Sequence, residues 1–175
     1  MIRVTAVCDG GARGKGGMSS VLANQIAYFA QHVPDVRIRT VDPYREGKNL
    51  RSAIHFARQW FGLWRQRRTV DILHIHTAAY GSFVRAGLIS LAGGPGRPAL
   101  VFHVHASEMR KFFDRAGALT KLLVRWVLGR SDRVIVLGEV WRQYLVQKVG
   151  LPAKIVDVIY NGVATSVDAA GQARD

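Results

Sequence analysis

Residues 70–108 read VDILHIHTAAYGSFVRAGLISLAGGPGRPALVFHVHASE. An apolar, β-branched run from Val70 to Ile75 predicts a strand, and Leu100 to Val104 predicts another. Between them, Gly81 to Leu91 has the spacing and composition of a helix. Two strands joined by a helix fit a parallel pair, because a parallel connection needs a crossover of roughly a dozen residues or more. The same alternation extends in both directions. Ile2–Val7, Val36–Val41, Arg133–Leu137 and Ile155–Ile159 complete a set of predicted strands. Ser19 or Ser20 can cap a helix with Leu22, Ile26, Phe29 and Ala30 on its apolar face, and Asn49 can start one with Ala53, Phe56, Ala57, Trp60 and Trp64 on one side. Further helices are expected over 119–128 and 139–148, the last closed by Gly150 and Pro152. The expected fold is an α/β doubly wound parallel sheet, a Rossmann-like domain.

Composition bounds the rest. With 175 residues, 49% of them hydrophobic, the chain can form one domain with a proper core but not two. The formal net charge of +13 calls for an anionic partner. Basic residues cluster with aromatics over 44–68 and 110–130, a mixture suited to an anionic lipid surface. No nucleic-acid signature accompanies them. Cys8 is the only cysteine, which excludes an internal disulfide and a cysteine-based zinc site and predicts a small buried side chain at a strand end. The most apolar stretches are interrupted by Arg85, Lys121 and Arg125 and are too short to cross a bilayer.

In open parallel sheets ligands bind beyond the C-terminal strand ends. After the first strand comes Asp9-Gly-Gly-Ala-Arg-Gly-Lys-Gly-Gly-Met-Ser19, whose glycines let a backbone approach a ligand and whose following helix aims free N–H groups at an anion. His74 and His76 lie on one face of one strand, His103 and His105 on one face of another, with the second of each pair at the ligand-side edge. No third ligand at a convincing spacing accompanies either pair, so no metal site and no cofactor are expected. The Gly14–Ser19 stretch approaches a dinucleotide fingerprint, with Asp42 where a ribose-binding acid would sit. An NAD(P)-binding oxidoreductase domain is therefore one alternative, although Ser19 replaces the third glycine; a non-catalytic binding module is another.

Five stretches in order resemble the N-terminal domain of group 1 (family 4) retaining glycosyltransferases, especially those assembling capsular and exopolysaccharides. They are Gly16–Ser19, Asp71–Thr77 with Gly81–Phe83, Phe102–Glu108, Ser131–Leu137 with Trp141, and Ile159–Val163. The resemblance implies a GT-B enzyme of hexosyltransferase type that uses a nucleotide-sugar donor and a glycan or lipid-linked acceptor. It implies binding roles for Gly16, Gly17, Met18, Ser19, His76, Ser107 and Glu108, and contact between His105 and the transferred sugar. Family members commonly carry glycine where Ala106 stands. Residues 1–163 are expected to form the acceptor-side domain and 164–175 a tail or the start of a linker, with the donor-binding C-terminal domain supplied in cis or in trans. Alone the chain is expected not to turn over. Its expected location is cytoplasmic, peripheral on the inner face of the plasma membrane.

Overall fold

The computed structural model describes residues 1–14, 16–47, 49–93, 98–105 and 107–162, apart from the Ser107 side chain. The expected tail or linker at 164–175 lies outside the described residues. Six strands form one sheet: β1 (Ile2–Val7), β2 (Val36–Val41), β3 (Ile72–Thr77), β4 (Ala99–Val104), β5 (Arg133–Val136) and β6 (Val156–Val158). All neighbouring pairs are parallel and the order is β2-β1-β3-β4-β5-β6. The helices are α1 (Gly17–His32), α2 (Leu50–Gln66), α3 (Gly81–Ser90), α4 (Ser107–Arg115), α5 (Ala118–Gly129) and α6 (Glu139–Tyr144). This is the doubly wound, Rossmann-like architecture expected from the sequence.

The two faces of the sheet are built differently. Leu73, Ile75, Phe102, Val104, Val134 and Val136 point to one face and join a cluster with Leu63, Phe83, Ile89, Phe113, Val124 and Leu128 from α2, α3, α4 and α5. On the other face Ala6 and Cys8 meet Leu22 of α1, with Met18 and Ile26 against them. Cys8 is fully buried, as expected, and burial pushes its thiol up to about 11, well away from thiolate chemistry at neutral pH. At the end of the sheet remote from the predicted site, Asp71 accepts the Arg3 backbone N–H at 2.7 Å and Asp132 accepts that of Leu100 at 2.7 Å. These carboxylates satisfy backbone donors at strand starts.

Several local expectations shift. Strand β3 runs to Thr77 because His76 and Thr77, though polar, are buried and paired with β4. Helix α1 starts at Gly17 after Gly16, with no side-chain cap, so Ser19 and Ser20 lie inside its first turn. Helix α2 is capped by Asn49, whose side chain accepts the Ser52 N–H at 3.1 Å, but the residues it turns inward are Phe56, Trp60 and Leu63. Ala53, Ala57 and Trp64 face outward. Helix α6 continues as a π-helical turn over Leu145–Val149 and stops at Gly150, which adopts φ 86°.

Candidate functional site

Strand β1 has β2 on one side and β3 on the other, so the chain's progression across the sheet reverses between β1 and β3. Loops leaving two such strands diverge and open a crevice at their C-terminal ends. The loop after β1 is held in shape from several directions. Gly10 and Gly11 take left-handed φ values of 85° and 58°, and Gly10 donates its N–H to Asp42 Oδ1 at 3.0 Å. A side chain at Gly14 would put its Cβ 2.5 Å from the Ser19 hydroxyl and 2.8 Å from the Gly10 carbonyl. Asp9 takes a two-pronged ion pair from Arg85 of α3, at 3.2 and 2.6 Å, and Arg85 also lies over the Tyr44 ring.

The loop therefore delivers α1 in a fixed position. Gly16 and Gly17 are exposed, with open space where a Cβ would stand, and Gly16 has φ 150°. No side chain among the described residues caps this helix start, and the first N–H groups and positive dipole end of a helix are a natural seat for an anion. Of the residues predicted here, Gly16 and Gly17 face open space. Ser19 is buried under the loop and Met18 packs in the apolar cluster of Ala6 and Cys8, so their side chains support the loop from below.

The second part of the site is a column of imidazoles. His76 is directly opposite His103 in the β3–β4 register, which places all four histidines of the two strands on one face. Ring centroids of His74–His76, His76–His103 and His103–His105 are 4.4, 4.9 and 4.5 Å apart. His105 extends the ladder past β4, its N–H donated to the Thr77 carbonyl at 2.8 Å, and its Nε2 lies 3.1 Å from His76 Nδ1. Burial holds the His74 and His105 imidazoles down to about 4 and His103 to about 3, with the neighbouring rings opposing charge on His74 and His103. His76 is likewise driven far down, first by burial and then by the three rings around it. All four are neutral at pH 7. A neutral His105 can orient a hydroxyl through a hydrogen bond, and with so low a proton affinity it is a weak general base.

Two further predicted residues lie at the start of α4. Glu108 is exposed on the first turn of α4 and pairs with Lys111 at 2.9 Å. The Ser107 side chain, like Ala106, lies outside the described residues. Asp42, expected as a ribose-binding acid in the dinucleotide reading, accepts the Gly10 and Tyr44 N–H groups on Oδ1 at 3.0 and 2.9 Å and so ties the loop together. The expectation that the histidine pairs lack a third partner is also corrected. Strand register supplies it, with ring nitrogens of His74, His76 and His103 all within 4.8 Å of one another.

Sequence reasoning placed Asp9 in the candidate loop but missed its pairing with Arg85 and the backbone conformation of Tyr80. Tyr80 has φ 53° at the start of α3, a strained conformation for a non-glycine residue, and its ring packs 5.2 Å from Phe112. Beyond β2, Arg45, Arg51 and Arg58 line a hollow with Ile54 and His55. On α5, Leu119, Leu122, Leu123 and Trp126 form an exposed i, i+3, i+4, i+7 stripe, while Lys121 and Arg125 lie over the buried Phe113 ring. Among the described residues no helix is long and apolar enough to cross a membrane.

A family model described as Glycosyltransferase Family 4 matches residues 3–167. No curated protein matches the chain. Among solved structures, a sucrose-phosphate synthase from Thermosynechococcus elongatus superposes on 93% of this chain with a TM-score of 0.62 and 13% identity, a likeness of fold. The chain spans about half of that structure, 49% of its length.

Proposed function

This chain belongs to glycosyltransferase family 4, and from that premise we propose that it is the acceptor-side half of a retaining hexosyltransferase. Its donor is a nucleotide-sugar, its acceptor a lipid-linked saccharide, and its setting polysaccharide assembly at the cytoplasmic face of the plasma membrane. The donor-binding domain acts with it in cis or in trans.

The observation that carries this reading is the placement of two unlike elements at the ends of β1 and β4, separated by β3. One is the exposed Gly16–Gly17 helix start, and the other is neutral His105. Departure of a nucleoside diphosphate concentrates negative charge on phosphate oxygens, and fixed N–H groups at a helix start stabilise that charge without reorganising. The sugar carbon meanwhile becomes cationic, so a neutral hydrogen-bonding group beside it is preferable to an imidazolium. His76, bonded to His105, is its positioning residue. The lipid-linked acceptor is supported by the Arg45, Arg51 and Arg58 hollow, which suits a phosphate, and by the outward apolar stripe of α5 near basic residues, which suits a bilayer surface.

The test is a transfer assay with the donor-binding domain supplied, using a panel of nucleotide-sugars and a polyprenyl-linked saccharide, with the product's anomeric configuration read by NMR. The expected result is transfer with retention, lost by at least about a hundredfold in His105→Ala with unchanged circular dichroism. An inverted product would overturn the retaining assignment. Full activity in His105→Ala would remove His105 from the site.

A further inference from the structure

The histidine column contains more polar capacity than the transfer reaction uses. His74 Nε2, His76 Nε2 and both ring nitrogens of His103 are buried without a hydrogen-bond partner. A neutral imidazole has one N–H donor and one lone pair, and buried polar atoms are nearly always satisfied. Three adjacent rings with unsatisfied nitrogens call for a common partner. We propose that His74, His76 and His103 bind a single borderline divalent transition-metal ion, Zn²⁺ foremost, on the sheet face below His105.

The geometry is close to what such an ion needs. One nitrogen from each ring falls within 4.8 Å of the others, and Zn–N bonds of about 2.0–2.1 Å in a tetrahedron separate ligand nitrogens by roughly 3.4 Å. Strand pairing holds the backbones of β3 and β4 in place, so reaching that spacing would be left to rotation of the three rings. An all-imidazole set favours zinc, copper, nickel or iron over magnesium and calcium, which take oxygen ligands. The fourth position is left to water, hydroxide or another anion, which would offset part of the buried charge.

The contact between His76 and His105 has the form of a metal ligand's outer hydrogen bond. Coordination through His76 Nε2 leaves the proton on Nδ1, 3.1 Å from His105 Nε2. His76 then donates, His105 accepts, and the His105 proton is confined to Nδ1. The ion would thus fix the tautomer of the residue that faces the sugar, as outer partners do at other histidine metal sites.

The experiment strips the chain with a chelator and titrates it with Zn²⁺, with Co²⁺ as a visible-absorbing probe and with Mg²⁺ as a control. Expected are about one ion bound per chain, a tetrahedral Co²⁺ spectrum, and a rise in melting temperature with Zn²⁺ but not Mg²⁺. His103→Phe should weaken Zn²⁺ binding roughly tenfold or more, and His32→Ala should not. Because variants of buried histidines can unfold, ¹⁵N-histidine NMR of the unaltered chain is the second measurement. Zn²⁺ should move the ring nitrogens of His74, His76 and His103 and leave those of His32 and His55 in place. Absence of stoichiometric binding, binding undiminished in a folded His103→Phe chain, or shifts confined to His32 and His55 would each overturn the proposal. None of these readouts depends on sugar transfer, so the metal site and the proposed reaction fail separately.

Discussion

Acidification from pH 7 to pH 5 should remove several kcal/mol of stability through the histidine column. In the folded chain His74 and His105 are held near 4 and His103 near 3, and His76 is depressed further, against an ordinary value of 6.5 once the chain unfolds. Between pH 6.5 and about 4 the unfolded chain takes up protons that the native state refuses. It binds more protons, so stability rises with pH: the contribution is fully present above about 7 and is lost as pH falls through 6.5 toward 4. At pH 5 each group held near 4 has forfeited about 2 kcal/mol relative to pH 7. His74 and His105 together give about 4, before His103 and His76 add theirs, out of a total of about 5–15 kcal/mol for a domain of ordinary stability. Urea unfolding of chelator-treated protein at several pH values, extrapolated to water, measures this directly. Near pH 5.5 its slope should correspond to uptake of roughly three to four protons on unfolding, reduced by about one in His103→Phe. A stability that changes by less than about 1 kcal/mol between pH 7 and 5 would refute the burial of neutral imidazoles.

Other substitutions probe the site's framework and its surroundings. Gly14→Ala drives a Cβ into the Gly10 carbonyl and the Ser19 hydroxyl, and should lower stability by about 1–3 kcal/mol in urea melts; Gly17→Ala, with open space around it in helix α1, should leave stability unchanged or raise it by up to about 1 kcal/mol. Arg85→Met leaves the largely buried Asp9 carboxylate without its ion-pair partner and should cost about 1–3 kcal/mol by thermal unfolding, with the β1 loop more open to proteolysis. Leu119→Glu with Leu122→Glu, both at exposed positions, should cut sedimentation with anionic vesicles severalfold while the melting temperature stays near its original value. Wild-type vesicle binding should weaken with added salt; equal binding to neutral and anionic vesicles would refute the electrostatic part.

How much of this was legible in the sequence depended on the range of the interaction involved. Strand and helix order follows from short β-branched runs and amphipathic spacing, so all six strands lie where the local pattern places them, within two or three residues. Helical spacing groups Trp64 with Phe56 and Trp60 on one side of α2, but packing against the sheet selects Leu63 and leaves Trp64 exposed. Within the site, period-two alternation placed His74 with His76 and His103 with His105. It could not join the two pairs, because the opposition of His76 and His103 depends on a strand register set across an intervening helix. The Asp9–Arg85 and Gly10–Asp42 ties join residues far apart in sequence, and no local signal marks them. Tyr80 is an ordinary residue in sequence, and its positive φ belongs to the fold alone.

The distribution of charge gives the crevice a character unlike that of the chain as a whole. The net charge is +13, yet around the strand ends Asp9 is neutralised by Arg85, one oxygen of Asp42 is occupied by two backbone N–H groups, and the histidines are uncharged. With these groups paired or uncharged, the exposed Arg13 of the loop and the peptide dipoles at the start of α1 supply positive potential there. Such a site can hold a diphosphate at one end and keep a neutral group beside a developing cation at the other. A crevice lined with arginines would favour the phosphate equally before and after bond cleavage and would oppose the cationic sugar. Many of the basic residues lie over 44–68 and 110–130, and on the proposed function their screened, long-range attraction would bring the domain to an anionic surface without entering the chemistry. Separating the two roles lets surface attraction vary with salt while the reaction centre keeps the same electrostatic environment.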